Sequence, residues 1–261
     1  MRVLVDIGNS RLKSALDDGR RLEPLEPFAW RDAPLDERLA EHWLGPLDGR
    51  VPTGVHVSNV AGDRLLPALD AWCAERLGVR PVAMRSTARF GALVNGYAEP
   101  ETFGVDRWAA LIGARAHHDG ALCVIDAGTA TTVDLVDAHG RHRGGAILPG
   151  IYTMRRSLGK YTAALFAADG AIEPFSDNTA AGIAGGTGFA LVGAVDRLVD
   201  EARAVVGEDL TAIVTGGESG TLESLMANPV VRDPSLVLRG VGVVADEAAG
   251  AAGGGARMRR G

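Results

Sequence analysis

Residues 3–16 read VLVDIGNSRLKSAL, and residues 122–135 read LCVIDAGTATTVDL. Each is an apolar, β-rich run that meets an Asp-x-Gly turn and resumes as a second run. Val3 to Val5 and Ala121 to Ile125 have the character of buried strands, while Arg11 to Leu16 and Thr131 to Val136 supply the return strands. A third strand, Ala212 to Thr215, runs into Gly216-Gly217-Glu218-Ser219. A repeated strand–turn–strand hairpin predicts two similar lobes.

The segments between the hairpins alternate in type. Helical spacing of apolar residues predicts helices over 35–48, 63–77, 104–117, 151–165 and 182–205, and strands over 54–60 and 79–84. Residues 88–102 have no clear period and carry Gly91, Asn95, Gly96 and Pro100, so they read as loop. Residues 236–238 read as a last strand and 242–252 as a terminal helix. Strands alternating with helices predict an α/β architecture. The polar, glycine-ended stretch at His117 to Gly120 marks a boundary between lobes 1–118 and 119–251, with 252–261 a disordered tail.

Composition narrows the function. At 261 residues, 46% hydrophobic and 23% charged, the chain is long and apolar enough for a sizeable core, which excludes wholesale disorder. Two cysteines, Cys73 and Cys123, cannot build a zinc site or a disulfide scaffold. A net charge of −6 without a large Lys/Arg cluster argues against a nucleic-acid partner. No window approaches 18 uninterrupted apolar residues, so no membrane association is expected. The opening MRVLVDIGNS reads as strand and turn and not as a signal peptide; the expected compartment is the cytoplasm.

The hairpins suggest phosphate chemistry. Gly8 and Gly128 let a phosphate approach the main chain, and Asn9, Ser10 and Thr129 to Thr132 place short donors around it. Asp6 and Asp126 repel phosphate but can hold a cation that neutralises it. Lys13 and Arg11 share a strand face and can also neutralise phosphate charge. One hairpin per lobe clamping a polyphosphate in a cleft is the geometry of actin-like ATPases and sugar kinases. A plain turn is the competing reading for either hairpin taken singly. GxxxxGK[ST], a strand-following GxGxxG and a GxSxG elbow are all absent, which argues against P-loop, nicotinamide and α/β-hydrolase chemistry.

Phosphoryl transfer to an alcohol also needs a carboxylate to orient or deprotonate the hydroxyl. Asp106, in Phe103-Gly104-Val105-Asp106-Arg107, is the candidate; a first-turn Asp favoured by the helix dipole is the alternative. Arg107 can bind a substrate carboxylate or form a surface ion pair. Thr179 reads by default as a helix cap.

These residues in this order resemble the type III pantothenate kinases, a family that includes Bvg accessory factor homologues. The resemblance rests on DIGNSRLK at 6–13, Asn95-Gly96-Tyr97, GVDR at 104–107, DAGTATTVD at 126–134, GGAILPG at 144–150, Thr162-Ala163, Asn178-Thr179 and TGG at 215–217. It departs from the family at Phe166, where proline is frequent, and at Gly182, where a helix former is usual.

The resemblance implies an actin-like ATPase fold, the ribonuclease H-like fold shared by acetate and sugar kinases, heat-shock proteins and actin. It implies transfer of the ATP γ-phosphate to pantothenate in coenzyme A synthesis. Asp6, Ile7, Gly8, Asn9, Ser10, Arg11, Leu12, Lys13 and Thr129 would bind ATP. Asp126 would ligate a monovalent cation, potassium or ammonium, with magnesium accompanying ATP. Asp106 would accept the proton, and Tyr97, Gly104, Val105, Asp106, Arg107 and Thr179 would contact pantothenate. A homodimer is implied as well. The rival expectations are a non-catalytic nucleotide-binding accessory protein and a kinase of another small alcohol.

Overall fold

The computed structural model describes residues 1–62, 64–161 and 170–257, and the chain divides into two compact units. The first comprises Met1–Phe90, Tyr97–His117 and the segment from Ser235; the second comprises Gly91–Gly96 and His118–Pro234. In chain order the first unit opens with β1 (Arg2–Ile7), β2 (Arg11–Asp17), β3 (Leu22–Pro24), β4 (Phe28–Ala29) and α1 (Leu35–Leu47). It goes on through β5 (Val55–Asn59), α2 (Leu65–Leu77), β6 (Pro81–Ala83) and β7 (Arg89–Phe90). β8 (Leu93–Val94) belongs to the second unit, after which α3 (Val105–His117) returns to the first. The second unit then holds β9 (Ala121–Ala127), β10 (Ala130–Val136), β11 (His142–Pro149), α4 (Ile151–Tyr161) and α5 (Thr179–Val206). β12 (Leu210–Thr215), α6 (Ser219–Leu225) and β13 (Val231–Arg232) complete it, and α7 (Leu236–Arg257) is in the first unit.

The two sheets share one plan. Strand order is β3-β2-β1-β5-β6 in the first unit, with β4 also on β2, and β11-β10-β9-β12-β13 in the second. In each, an antiparallel meander on one side gives way to parallel pairing on the other. The sequence repeat is therefore a repeat of topology: β1–β2 and β9–β10 occupy equivalent central places.

Strand alternation sorts the first hairpin's side chains. Val3, Val5, Ile7, Leu12 and Leu16 join one core with Leu39, Trp43, Val57, Leu69 and Trp72. Ser14 lies on that face too, and there accepts a hydrogen bond from Trp43 Nε1 at 3.0 Å. Asp6 and Lys13 are register partners on the opposite face, which keeps both charges off the core. In the second unit Cys123, Ile125, Ala127, Val133, Ala212 and Val214 pack with Leu191, Val195 and Val199 of α5. Asp126 therefore points to the other face, beside its register partners Thr132 and Thr215. α5 is long and apolar enough to cross a membrane by length and composition. Its buried Leu191, Val192, Val195, Val199 and Ala202, however, belong to the core that covers this sheet.

Several elements differ from expectation. Residues 236–238 are not a strand but the first turn of α7, because Val237, Val241 and Ala245 continue their burial at helical spacing. Three consecutive apolar residues do not distinguish the two periods. α7 runs to Arg257, past the helix end expected at 252, and packs on α3 in the first unit, whereas the boundary at 118 put it in the second lobe. β11 was not anticipated: Gly144, Gly145 and Pro149 hide a strand that pairing with β10 imposes. Short pieces, β7, β8 and a 3-10 turn at Pro100–Thr102, interrupt the expected loop over 88–102. α5 starts three residues earlier than expected because Asn178 caps it, its side chain accepting from Ala181 N at 3.0 Å. Thr162-Ala163 and Phe166 lie outside the described residues.

Candidate active site

In the first unit, Gly8-Asn9-Ser10 links β1 to β2, closed by Gly8 N donating to Arg11 O at 3.0 Å. Trp30 Nε1 donates to Gly8 O at 2.9 Å and anchors the turn from outside. Asn9, Ser10 and Arg11 are exposed, Leu12 is core, Ile7 is core, and Asp6 is buried. The β9–β10 turn is its counterpart and one residue shorter: Gly128 N donates to Ala130 O at 3.2 Å, and Thr129 is exposed. Neither glycine has a positive φ, and a Cβ would meet only Arg11 O at 3.4 Å at Gly8 or Ala130 O at 3.6 Å at Gly128. Folding itself does not demand glycine there.

The second cluster of the first unit forms around the start of α3. Asp106 lies in its first turn, with Oδ1 accepting from Arg107 N at 2.7 Å. A Cβ on Gly104 would come within 2.9 Å of that same oxygen, so Gly104 leaves the carboxylate its place. Arg107 is buried and does not lie on the surface. Its Nη1 donates to Tyr97 Oη at 3.1 Å, and its guanidinium carbon stands 4.5 Å above the Phe103 ring. Phe103 contacts Tyr97 edge-on at 4.8 Å, and Ser86 Oγ donates to its carbonyl at 2.7 Å. Sequence reading passed over Phe103 and Ser86. The aromatic just before GVDR was the available signal.

In the second unit, Asp126 is partly buried at the end of β9. Gly216 has φ +93°, and a Cβ there would stand 2.5 Å from Asp126 Oδ1 and 2.3 Å from Ala127 O. Glycine at 216 is thus required both by conformation and by closeness to the carboxylate. Thr215 Oγ1 is buried and makes no hydrogen bond among the described residues. A carboxylate beside threonine hydroxyls is an all-oxygen donor set suited to a hard cation. Thr179 is exposed, at the first turn of α5, with Asn178 taking the capping role. It lines a cavity of about 580 Å³ with Met154, Leu158, Ile183 and Thr187. Gly150 also has no room for a Cβ, which would lie 1.9 Å from Gly128 O.

Comparison with known proteins identifies the family. The family model described as type III pantothenate kinase matches residues 2–201. A type III pantothenate kinase of Azoarcus sp. is 38% identical over 94% of this chain and 90% of its own. That of Janthinobacterium sp. is 39% identical over 94% of this chain and 97% of its own. The chain belongs to the type III pantothenate kinase family. Solved structures extend the likeness of fold. A Baf family protein from Campylobacter jejuni superposes with a TM-score of 0.58 at 20% identity, covering 95% of this chain and 99% of its own. The ethanolamine utilization protein EutJ from Carboxydothermus hydrogenoformans gives 0.52 at 15% identity over 92% and 88%. The type III pantothenate kinase fold here is the actin-like one, with its duplicated ribonuclease H-like sheets.

Proposed function

We propose that this protein transfers the γ-phosphoryl group of magnesium-ATP to the 4′-hydroxyl of pantothenate, yielding 4′-phosphopantothenate and ADP, the first step of coenzyme A synthesis. The observation that carries this reading is the Asp106–Arg107 cluster: a first-turn carboxylate beside a buried guanidinium steered by Tyr97 and Phe103. Arg107 holds the pantothenate carboxylate. Asp106 takes the hydroxyl proton as the hydroxyl oxygen bonds to the γ-phosphorus and the bond to the β–γ bridging oxygen breaks. Tyr97, Gly104, Val105 and Thr179 complete the pantothenate contacts.

Asp6 to Lys13 and Thr129 bind the nucleotide, with the exposed turn donors toward phosphate and Lys13 supplying positive charge. Asp126, with Thr215 and Thr132 beside it, would hold a potassium or ammonium ion, whose charge offsets that of the triphosphate. A homodimer acting in the cytoplasm fits the family.

The test is ADP release from magnesium-ATP with and without pantothenate, in potassium and then in sodium buffer. Release that needs both pantothenate and potassium is expected. Bound nucleotide without release in any buffer would move the reading to an accessory nucleotide-binding protein.

A further inference from the structure

Glu218 follows Gly216-Gly217 and precedes α6, a place at which sequence reading saw only the end of a glycine turn. Its N–H donates to Ala127 O at 2.9 Å, seating it against the end of β9. Its side chain reaches to another element. Oε2 accepts from Ile151 N at 3.1 Å, and Oε1 lies 3.4 Å from Tyr152 N. These are opening N–H groups of α4, which no earlier turn of that helix can satisfy.

The start of α4 in turn grips the β9–β10 turn. Gly150 N donates to Thr129 O at 3.1 Å, and Thr153 Oγ1 donates to the same oxygen at 2.6 Å. Gly150 is pressed so closely on Gly128 that a side chain there is impossible. Both donors to the Thr129 carbonyl therefore belong to a helix start that the Glu218 carboxylate holds from a third element. A carboxylate suits that place, because it complements the positive end of the helix dipole and accepts two N–H groups at once.

We infer that Glu218 is a positioning residue for nucleotide binding: by capping α4 it fixes the Gly128–Thr129 turn in the conformation that meets ATP. The inference rests on the reading of Thr129 as a nucleotide contact. An ordinary helix cap would affect stability alone; a positioning residue must also move one substrate's affinity and leave the other's.

The experiment measures binding of a fluorescent ADP analogue, KM for ATP and for pantothenate, and thermal unfolding, in Glu218→Ala, Glu218→Gln and Thr129→Ala. Glu218→Ala should weaken nucleotide binding about tenfold, on the scale of a lost cap. KM for pantothenate should stay within twofold of the parent. Glu218→Gln, which keeps one acceptor, should recover part of the loss, and it carries the test if the alanine variant does not fold. Nucleotide affinity unchanged in both Glu218 variants but weakened in Thr129→Ala overturns the inference and leaves the turn's role standing. No change in any variant overturns both. Equal losses for ATP and pantothenate reduce Glu218 to a structural cap and also overturn it.

Discussion

Asp106 sits in a helix's first turn, where an acidic residue is favoured by the dipole whatever its chemistry. What separates it from an ordinary first-turn acid is its setting. Gly104 leaves room for its oxygen, and the neighbouring Arg107 is buried against Phe103 and hydrogen-bonded to Tyr97. Asp106→Ala should lower kcat by about 10²–10⁴-fold, the usual contribution of a general base, with the melting temperature lowered by no more than a few degrees through loss of the dipole interaction. Steady-state kinetics beside a melting curve check this, and near-normal turnover would remove Asp106 from the proton-acceptor role. GVDR was legible as a motif. The burial of Arg107 was not, since an arginine next to an aspartate reads equally well as a surface pair until the aromatic rings around it are seen.

Among elements, α3 and α7 of the first unit cross with no room for a side chain at two of their glycines. A Cβ on Gly240 would fall 1.8 Å from Ala109 O, and one on Gly113 would fall 2.4 Å from Leu236 O. The two helices meet backbone to backbone, and neither carbonyl can yield as a flexible side chain would. Gly240→Ala should destabilise the protein by about 3 kcal/mol, the upper end of usual overpacking costs, against a small gain in helix propensity. Denaturant unfolding measures it; an unchanged midpoint would contradict the packing. The same contact explains the unexpected fate of residues 236–238. Leu236, Val237 and Leu238 suit a strand or a helix, and it is the partner α3 that selects the helix. β11 shows the converse, since a glycine-bearing run with little strand preference becomes a strand through pairing with β10.

Across the whole molecule, each unit carries one buried free cysteine, Cys73 in the first and Cys123 in the second. Burial pushes both thiols up to about 12; Asp70 adds to the effect at Cys73 and Asp134 at Cys123. At pH 8 neither should be a thiolate in the folded protein, so a thiol-specific disulfide reagent should react with neither until denaturant opens the unit concerned. Peptide mapping of the labelled protein along a denaturant series then reads the two units separately. Fast labelling of either thiol in native buffer would contradict its burial.

From the chain alone followed the duplicated hairpins, the α/β class and the family resemblance, which the comparison bears out. These depend on local order: a β-rich run, a turn and a period are written in consecutive residues. The membership of α7 in the first unit, the β11 edge and the aromatic seat of Arg107 came from the folded chain. So did the reach of Glu218 to α4. Each joins residues far apart in sequence, and which of two locally acceptable states such residues adopt is set by the partner they bury against, a contact that no window of sequence contains.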